Sequence, residues 1–448
     1  MKFLDKIVGN IYLDYRLLRF AILIVFLFCL GFPYPIFIPI GKIGLSVIVL
    51  LTIVDIATLF GNKQLISGER IIESKLSNGD ENPVILRIVG KANFTMNLDI
   101  LEEFPEQLQL RDTRFELKGL KPAFERDIQY DVRPVERGIY RFGNTQVFVR
   151  STLSLVKRRV TLVTEQEVKV YPSFIQARKY SFLAINNRIE EIGVKKIRRL
   201  GVSHEFEQIR DYVTGDDFRL VNWKASARRG DLMVNQFQEE RAQNIYCLVD
   251  KGRMMHMPFD GLSLIDYAIN SSLVMAGIAI GRGDKAGLIT FSDKIGSFMI
   301  ANRKPMQMSM IADALYAQET RLRESDYFRL YKNIKFKIRK RSLLILFTNF
   351  DSLVSLERQV KYLRAIARDH LLCTVIFDNT EINERADSQT FGLKSAYDQT
   401  IAEKFQFDKR QIIRELNKNG IYTILTEPQH LTVNTINKYI ELKAKGAI

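Results

Sequence analysis

Residues 213 to 228 read VTGDDFRLVNWKASAR and gather Asp216, Asp217, Arg219, Lys224 and Arg228 around Trp223, the only tryptophan of the chain. Adjacent carboxylates are the residue types of general acid–base hydrolysis, where unlike surroundings keep one protonated and one ionised. That chemistry also needs a nucleophile, a tuned histidine or a metal, and none accompanies the pair. The four histidines, His204, His256, His370 and His430, are scattered, and no GxxxxGK[ST], HExxH or GxSxG motif occurs. GRGDKAG at 281–287 has the glycines of a phosphate loop but precedes an apolar strand, whereas a dinucleotide fingerprint follows a strand and opens a helix. The chain is therefore expected to be no enzyme and to use no cofactor.

The same residues have a structural reading. Asp216 is placed to cap a short helix beginning near Asp217, in which i to i+4 spacing sets Arg219 beside Trp223 and Lys224 beside Arg228. An arginine there can stack on the indole. The cluster is then either a buried clasp of paired charges around a tryptophan or an exposed docking surface. We expect a mixture, with Trp223 structural and Arg219, Lys224, Arg228 and Arg229 facing a partner.

The elements that must position these groups follow from composition and patterning. The 448 residues suffice for two or three domains, and 46% apolar with 26% charged residues is the balance of a folded protein. A net charge of +15 calls for an anionic neighbour, nucleic acid or a membrane surface. The basic runs KRR (157–159), KKIRR (195–199) and KFKIRKR (335–341) lack the interleaved aromatics of a nucleic-acid reader, so anionic inner-leaflet lipid is the expected contact and nucleic acid is not. Cys29, Cys247 and Cys373 lie far apart in apolar runs with no CxxC pair, and are expected as buried hydrophobes in a reducing compartment.

FAILIVFLFCLGFPYPIFIPIG carries no charge between Arg19 and Lys42, and IGLSVIVLLTIVDIATLF after it carries only Asp55. Two bilayer-length spans are expected, the first uncleaved for want of a small-x-small site. Lys2, Lys6, Arg16 and Arg19 before the first span, and Lys63, Arg70 and Lys75 after the second, place both termini in the cytoplasm. Asp55, near the cytoplasmic end, is expected to be interfacial or to pack the hairpin. From Leu65 the pattern alternates with period two, as in Phe94, Met96, Leu98 and Ile100, which predicts an antiparallel sandwich of about seven strands. From Gln243 apolar strands such as NIYCLVD and RSLLILFTNF alternate with amphipathic helices, predicting a mostly parallel sheet covered on both faces. The expected division is a transmembrane hairpin (1–62), a β-sandwich-like domain (63–175), a charged motif segment (176–242) and an α/β domain (243–448).

The stretch IRDYVTGDDFRLVNWKASARRGDLMVNQFQEE resembles the hallmark of the bacterial family catalogued as domain of unknown function fifty-eight, roughly Arg-acid-Tyr-x-x-Gly-Asp-x-x-Arg-x-Ile-acid-Trp-x-x-Ser-Ala-Arg. Arg210, Asp211, Tyr212, Gly215, Asp216, Asp217, Arg219, Val221, Trp223, Ser226, Ala227 and Arg228 carry the match, with Lys224 inside it, and Asn222 departs where an acid is usual. The α/β segment is similar to a von Willebrand factor A-type domain, whose metal-dependent adhesion site begins Asp-x-Ser-x-Ser after the first strand. Asp250-Lys-Gly252-Arg-Met254 keeps the aspartate and loses both serines, Ser309 matches the threonine position, and Thr348-Asn349 stands for Thr-Asp. One carboxylate among Asp250, Ser309 and Asn349 implies no functional metal. Members of the resembled family commonly accompany MoxR-type AAA+ ATPases, so the resemblance implies an inner-membrane adaptor for such an ATPase. The alternatives are a metal-dependent adhesion module and a hydrolase using Asp216 and Asp217.

Overall fold

A computed structural model of the chain describes residues 9–61, 65–110, 114–185, 208–214, 216, 218, 221–236, 242–380, 382 and 393–447. The chain divides into two compact units, with the boundary between Tyr171 and Pro172.

In the first unit the two apolar runs form α1 (Tyr15–Leu30) and α2 (Phe37–Gly61). Asp14 caps α1, its carboxylate accepting from Tyr15 N. Gly31, Pro33 and Pro35 turn the chain after Leu30, because proline fixes φ and has no amide to continue the ladder. At 1.5 Å per residue α1 is about 24 Å long and α2 about 38 Å, against a hydrocarbon core of about 30 Å. Of the pair, α2 alone reaches that length as a helix, the prolines ending α1 after 16 residues. Apolar side chains face outward along both helices, including Ile22, Val25 and Phe26 on α1 and Ile43, Leu50 and Ile53 on α2. Gly41 lets the Phe28 ring lie against the α2 backbone, where an added Cβ would stand 3.0 Å from it.

The remainder of this unit is a β-rich sandwich. One sheet runs β1 (Ile11–Leu13), β10 (Val156–Val163), β9 (Thr145–Arg150), β5 (Met96–Glu102), β6 (Arg114–Leu120). Two three-stranded sheets run β2 (Ile66–Ile71), β4 (Asn82–Lys91), β7 (Ala123–Val132) and β3 (Lys75–Ser77), β11 (Gln166–Tyr171), β8 (Gly138–Phe142). Period-two residues fill the space between them: Leu86 and Ile88 of β4 meet Leu98, Ile100, Val147 and Val149. Asp55 is fully buried and ties α2 to the loop before β10, accepting from Leu155 N at 2.9 Å, Val156 N at 3.0 Å and Ser151 Oγ.

The second unit is built on a six-stranded sheet in the order β18 (Ile295–Asn302), β17 (Lys285–Phe291), β14 (Asn244–Asp250), β19 (Leu343–Thr348), β20 (Leu371–Phe377), β21 (Tyr422–Thr426). All neighbours pair in parallel except β18, which is antiparallel to β17. Between β14 and β17 lies the short hairpin β15 (Pro258–Phe259) and β16 (Leu262–Ser263). Among the helices, α3 (Phe174–Ile185), α5 (Leu264–Gly281), α6 (Met306–Tyr316) and α10 (Leu431–Ala444) cover one face, and α7 (Tyr327–Lys337), α8 (Leu353–Asp369) and α9 (Leu393–Lys418) the other. α5 is long and apolar enough to cross a membrane, yet it is mostly buried as the central core helix, opened by a Ser263–Asp266 capping box. Cys247 and Cys373 lie in the core, where burial pushes both thiols up to about 12, whereas Cys29 is exposed on α1.

Asp55→Ala strands two buried backbone N–H groups, each worth about 1–3 kcal/mol. Thermal unfolding of the full chain in detergent should show the first unit losing several degrees, and Asp55→Asn, which keeps an acceptor, should lose less.

Candidate functional site

The charged motif folds into a small module. β12 (Gln208–Asp211) and β13 (Met233–Gln236) pair antiparallel, and α4 (Trp223–Arg229) is carried between them. The Asp216 carboxylate receives both terminal nitrogens of Arg210, at 2.7 and 2.6 Å, and Val213 N at 2.9 Å. This two-pronged pair is the geometry a guanidinium favours. The Arg210 hydrogen bond, followed by that from Val213, holds the Asp216 carboxyl below the usual aspartate range.

Asp216 thus closes a turn with Val213; the start of the helix near Asp217 that its spacing suggested it would cap lies outside the described residues. Asn222 caps α4, its Oδ1 accepting from Ala225 N at 3.0 Å. Asparagine and aspartate serve equally as N-caps, so the departure from the family's acid preserves the local structure. Ser226 Oγ donates to Asn222 O and accepts from Met233 N at 2.9 Å, which locks α4 onto β13. Tyr212 N donates to Leu232 O at 2.8 Å across the same hairpin. Gly215, Asp217 and Arg219 lie outside the described residues, and with them the expected stacking of Arg219 on the indole.

Trp223 is 61% exposed and meets the ring of Phe218, itself 57% exposed, edge-on at 5.4 Å. It is not the buried centre of a clasp. Among the described residues, the short hairpin and two-turn helix provide only Val221, Met233 and Val234 as buried apolar residues, too little to enclose an indole. Lys224 and Arg228 are exposed and, among the described residues, pair with no carboxylate; Arg229 lies 3.4 Å from Asp211. The solvent face of α4 is thus aromatic and cationic together.

A second constellation stands at the carboxyl ends of β14 and β19. The chain leaves β14 for β17 on one side and reaches β19 on the other, so this is the switch point at which parallel sheets open a crevice. Asp250, 3% exposed, ends β14. Its Oδ1 accepts from Gly252 N at 2.8 Å and from Ser325 Oγ; its Oδ2 accepts from Thr348 Oγ1 at 2.6 Å and Tyr327 OH at 3.1 Å. Burial pushes the carboxyl above its ordinary value, against the opposing pull of these donors. Asn349 Oδ1 accepts from the ammonium of Lys409, which also donates to Phe350 O at 3.0 Å. Burial lowers the Lys409 pKa to about 8. Above lies a crevice of about 50 Å³ bordered by Asp250, Gly252 and Asn349, and beside it one of about 600 Å³; Glu324, Ser325, Arg358 and Gln359 border both.

This donor set does not fit a divalent cation. Both Asp250 oxygens are saturated by protein donors, and Asn349 already holds a fixed ammonium. Among the described residues no three His, Cys, Asp or Glu side chains converge. Ser309 stands exposed on α6 and is not among the groups bonded to Asp250. Sequence reasoning missed Ser325, Tyr327 and Lys409. Only Lys409 left a signal, as a lysine on the same stripe of α9 as the buried Ile412 and Leu416.

Two outcomes follow from these geometries. Because the folded pKa of Asp216 is depressed, the Arg210 fork is intact at neutral pH and is lost only as pH falls below the ordinary aspartate value of about 3.9. Iodide quenching of Trp223 should be free and constant from neutral pH down to that range. For Lys409 the unfolded chain holds the extra proton between about pH 8 and 10.4, so stability rises with pH across that window, by at most about 3 kcal/mol. Urea midpoints at both ends of the window should differ by more in the wild type than in Lys409→Met.

Residues 208–418 match the family described as "Protein of unknown function DUF58". "Uncharacterized protein YeaD" of Bacillus subtilis (strain 168) is 27% identical over 216 residues, which cover 47% of this chain and 53% of the relative. The chain thus matches about half the length of that curated relative. Among solved structures, proximal thread matrix protein 1 from the mussel byssus aligns with a TM-score of 0.26 and 11% identity over 45% of this chain and 47% of its own. An uncharacterized membrane spanning protein from Vibrio fischeri gives 0.16 and 14% over 44% and 96%. The CARDB domain of a Pyrococcus furiosus protein gives 0.17 and 12% over 23% and 91%. The Arg210–Asp216 fork, the Asn222-capped helix and the Asp250 crevice all lie inside the stretch 208–418 that matches the DUF58 family.

Proposed function

We propose that the chain is a non-enzymatic, membrane-anchored adaptor that docks a protein partner on the aromatic and cationic face of the β12–α4–β13 module. One observation carries this reading: the only tryptophan of the chain is 61% exposed on a helix whose neighbouring Lys224 and Arg228 face solvent. Tryptophan and arginine are the side chains most enriched where binding energy concentrates. The partner it fits has an apolar pocket with an acidic rim, and the family resemblance makes a MoxR-type AAA+ ATPase the candidate. The second unit we read as an A-type domain, supported by its strand order and by Asp250 at the end of its first sheet strand. The outward apolar faces of α1 and α2 support anchoring in the bacterial inner membrane, with both termini cytoplasmic.

The alternatives fare less well. Asp216, ionised at neutral pH and engaged by Arg210, is badly suited to transfer a proton, which weighs against the hydrolase. The saturated Asp250 weighs against metal-dependent adhesion.

The test is capture of the full chain, purified in detergent, by an immobilised MoxR-type ATPase of the same organism. Trp223→Ala should weaken capture by about 2 kcal/mol, roughly thirtyfold, while an exposed position shifts stability by only about half a kcal/mol. Capture left intact by both Trp223→Ala and Arg228→Ala sinks the proposal.

A further inference from the structure

Around the point where β1 leads into α1, the first unit carries several cations. Arg16 and Arg19 stand exposed on the first turns of α1, Arg16 Nη1 lying 3.5 Å from Leu153 O and the Arg19 guanidinium 5.8 Å from the Tyr15 ring centre. On β10 the basic run at 157–159 alternates between faces. Arg158 donates to Leu59 O in the last turn of α2 at 2.6 Å, and Arg159 lies over Tyr12 at 5.5 Å. Beside them is a cavity of about 290 Å³ whose border includes Tyr12, Leu13, Asp99, Arg114, Phe148 and Lys157.

The internal acids do not consume this charge. Asp99, 4% exposed, serves Arg114, Arg150 and Lys157, Asp14 shares the last two, and Glu116 also pairs with Arg114, so these acids are taken up by those three cations. Among the described residues, Arg16, Arg19 and Arg159 pair with no carboxylate at all. Directly beside them Leu13, Tyr15 and Leu18 are 66, 75 and 55% exposed, continuous with the apolar faces of the hairpin. A nucleic acid or a free phosphate satisfies the cations and leaves those side chains in water. One class of molecule covers both, an anionic head on apolar tails.

We propose that this collar binds the headgroup of an anionic phospholipid, with Arg16, Arg19 and Arg159 taking the phosphate and the acyl chains lying along α1 and α2. The proposal rests on the anchoring role read above for the hairpin. Arginine suits it, since its planar fork pairs two phosphate oxygens at once. Tyr12 and Tyr15 suit it as well, with an apolar body and a polar tip for the bilayer interface.

The full chain is incorporated into vesicles of equal parts phosphatidylcholine and phosphatidylglycerol, extracted again in mild detergent, and its retained lipids are counted by mass spectrometry. Phosphatidylglycerol should be enriched several-fold over the vesicle ratio on the wild type and on Arg141→Gln, a control on β8. The triple variant Arg16→Gln/Arg19→Gln/Arg159→Gln should retain lipid at the vesicle ratio. Arg16→Gln/Arg19→Gln, which leaves the strands untouched, should fall between and serves if the triple variant misfolds. Enrichment should also weaken at high salt, because Arg16 and Arg19 are exposed. Incorporation without enrichment, or enrichment that survives loss of the arginines, overturns the headgroup site alone. A chain that does not enter vesicles overturns the anchoring reading together with it.

Discussion

A carboxylate taken out of water has to be met by donors on every side, and Asp250 shows what that requirement imposes. Its four hydrogen bonds come from the loop after β14, from Ser325, from Tyr327 at the start of α7 and from Thr348 at the end of β19. Segments far apart in the chain are thereby fixed at one point of the sheet edge. Tyr327 in turn stacks on Phe350 at 5.8 Å and meets Phe291 edge-on at 5.4 Å, so the polar knot is continuous with the apolar core on the α7 face. The crevice above inherits its shape from this knot, and its chemistry from the fact that Asp250 has nothing left to offer a ligand.

The same logic recurs on smaller scales. Asp284, in the turn between α5 and β17, gathers Gln243 N, Tyr439 OH and Lys443 and so draws α10 against that turn. Arg70 and Glu102 pair with both side chains wholly buried, bridging β2 and β5 from different sheets of the sandwich. Asp216 does the work at the surface, where half-exposed partners define a turn without a core. In each case an acid sets the relation between elements that hydrophobic contact alone leaves free to slide.

Periodicity made most of the architecture legible. Alternation in Met96, Leu98 and Ile100 announced a sandwich strand, continuous apolar runs announced buried parallel strands, and Gly420, at φ 74°, follows α9 in the left-handed conformation that favours glycine. The candidate sites were legible in composition but not in contact. Arg210 and Asp216 were both singled out, yet their pairing was not, because a fork across a turn leaves no period to read. The burial of Trp223 was misjudged, since an indole defaults to the interior only where enough surrounding structure exists to receive it. Ser325 and Tyr327 were invisible for a simpler reason: they meet Asp250 across 75 and 77 residues of chain.

The bonds between Asp55 and the residues at 151–156 join α2 directly to the sandwich. A rigid joint of that kind transmits orientation. When a helix of about 38 Å leans, whatever is bolted to its end leans too. The sandwich therefore acts as a pointer on α2, and the tilt of that helix becomes a mechanical variable that sets the direction in which its sheets face.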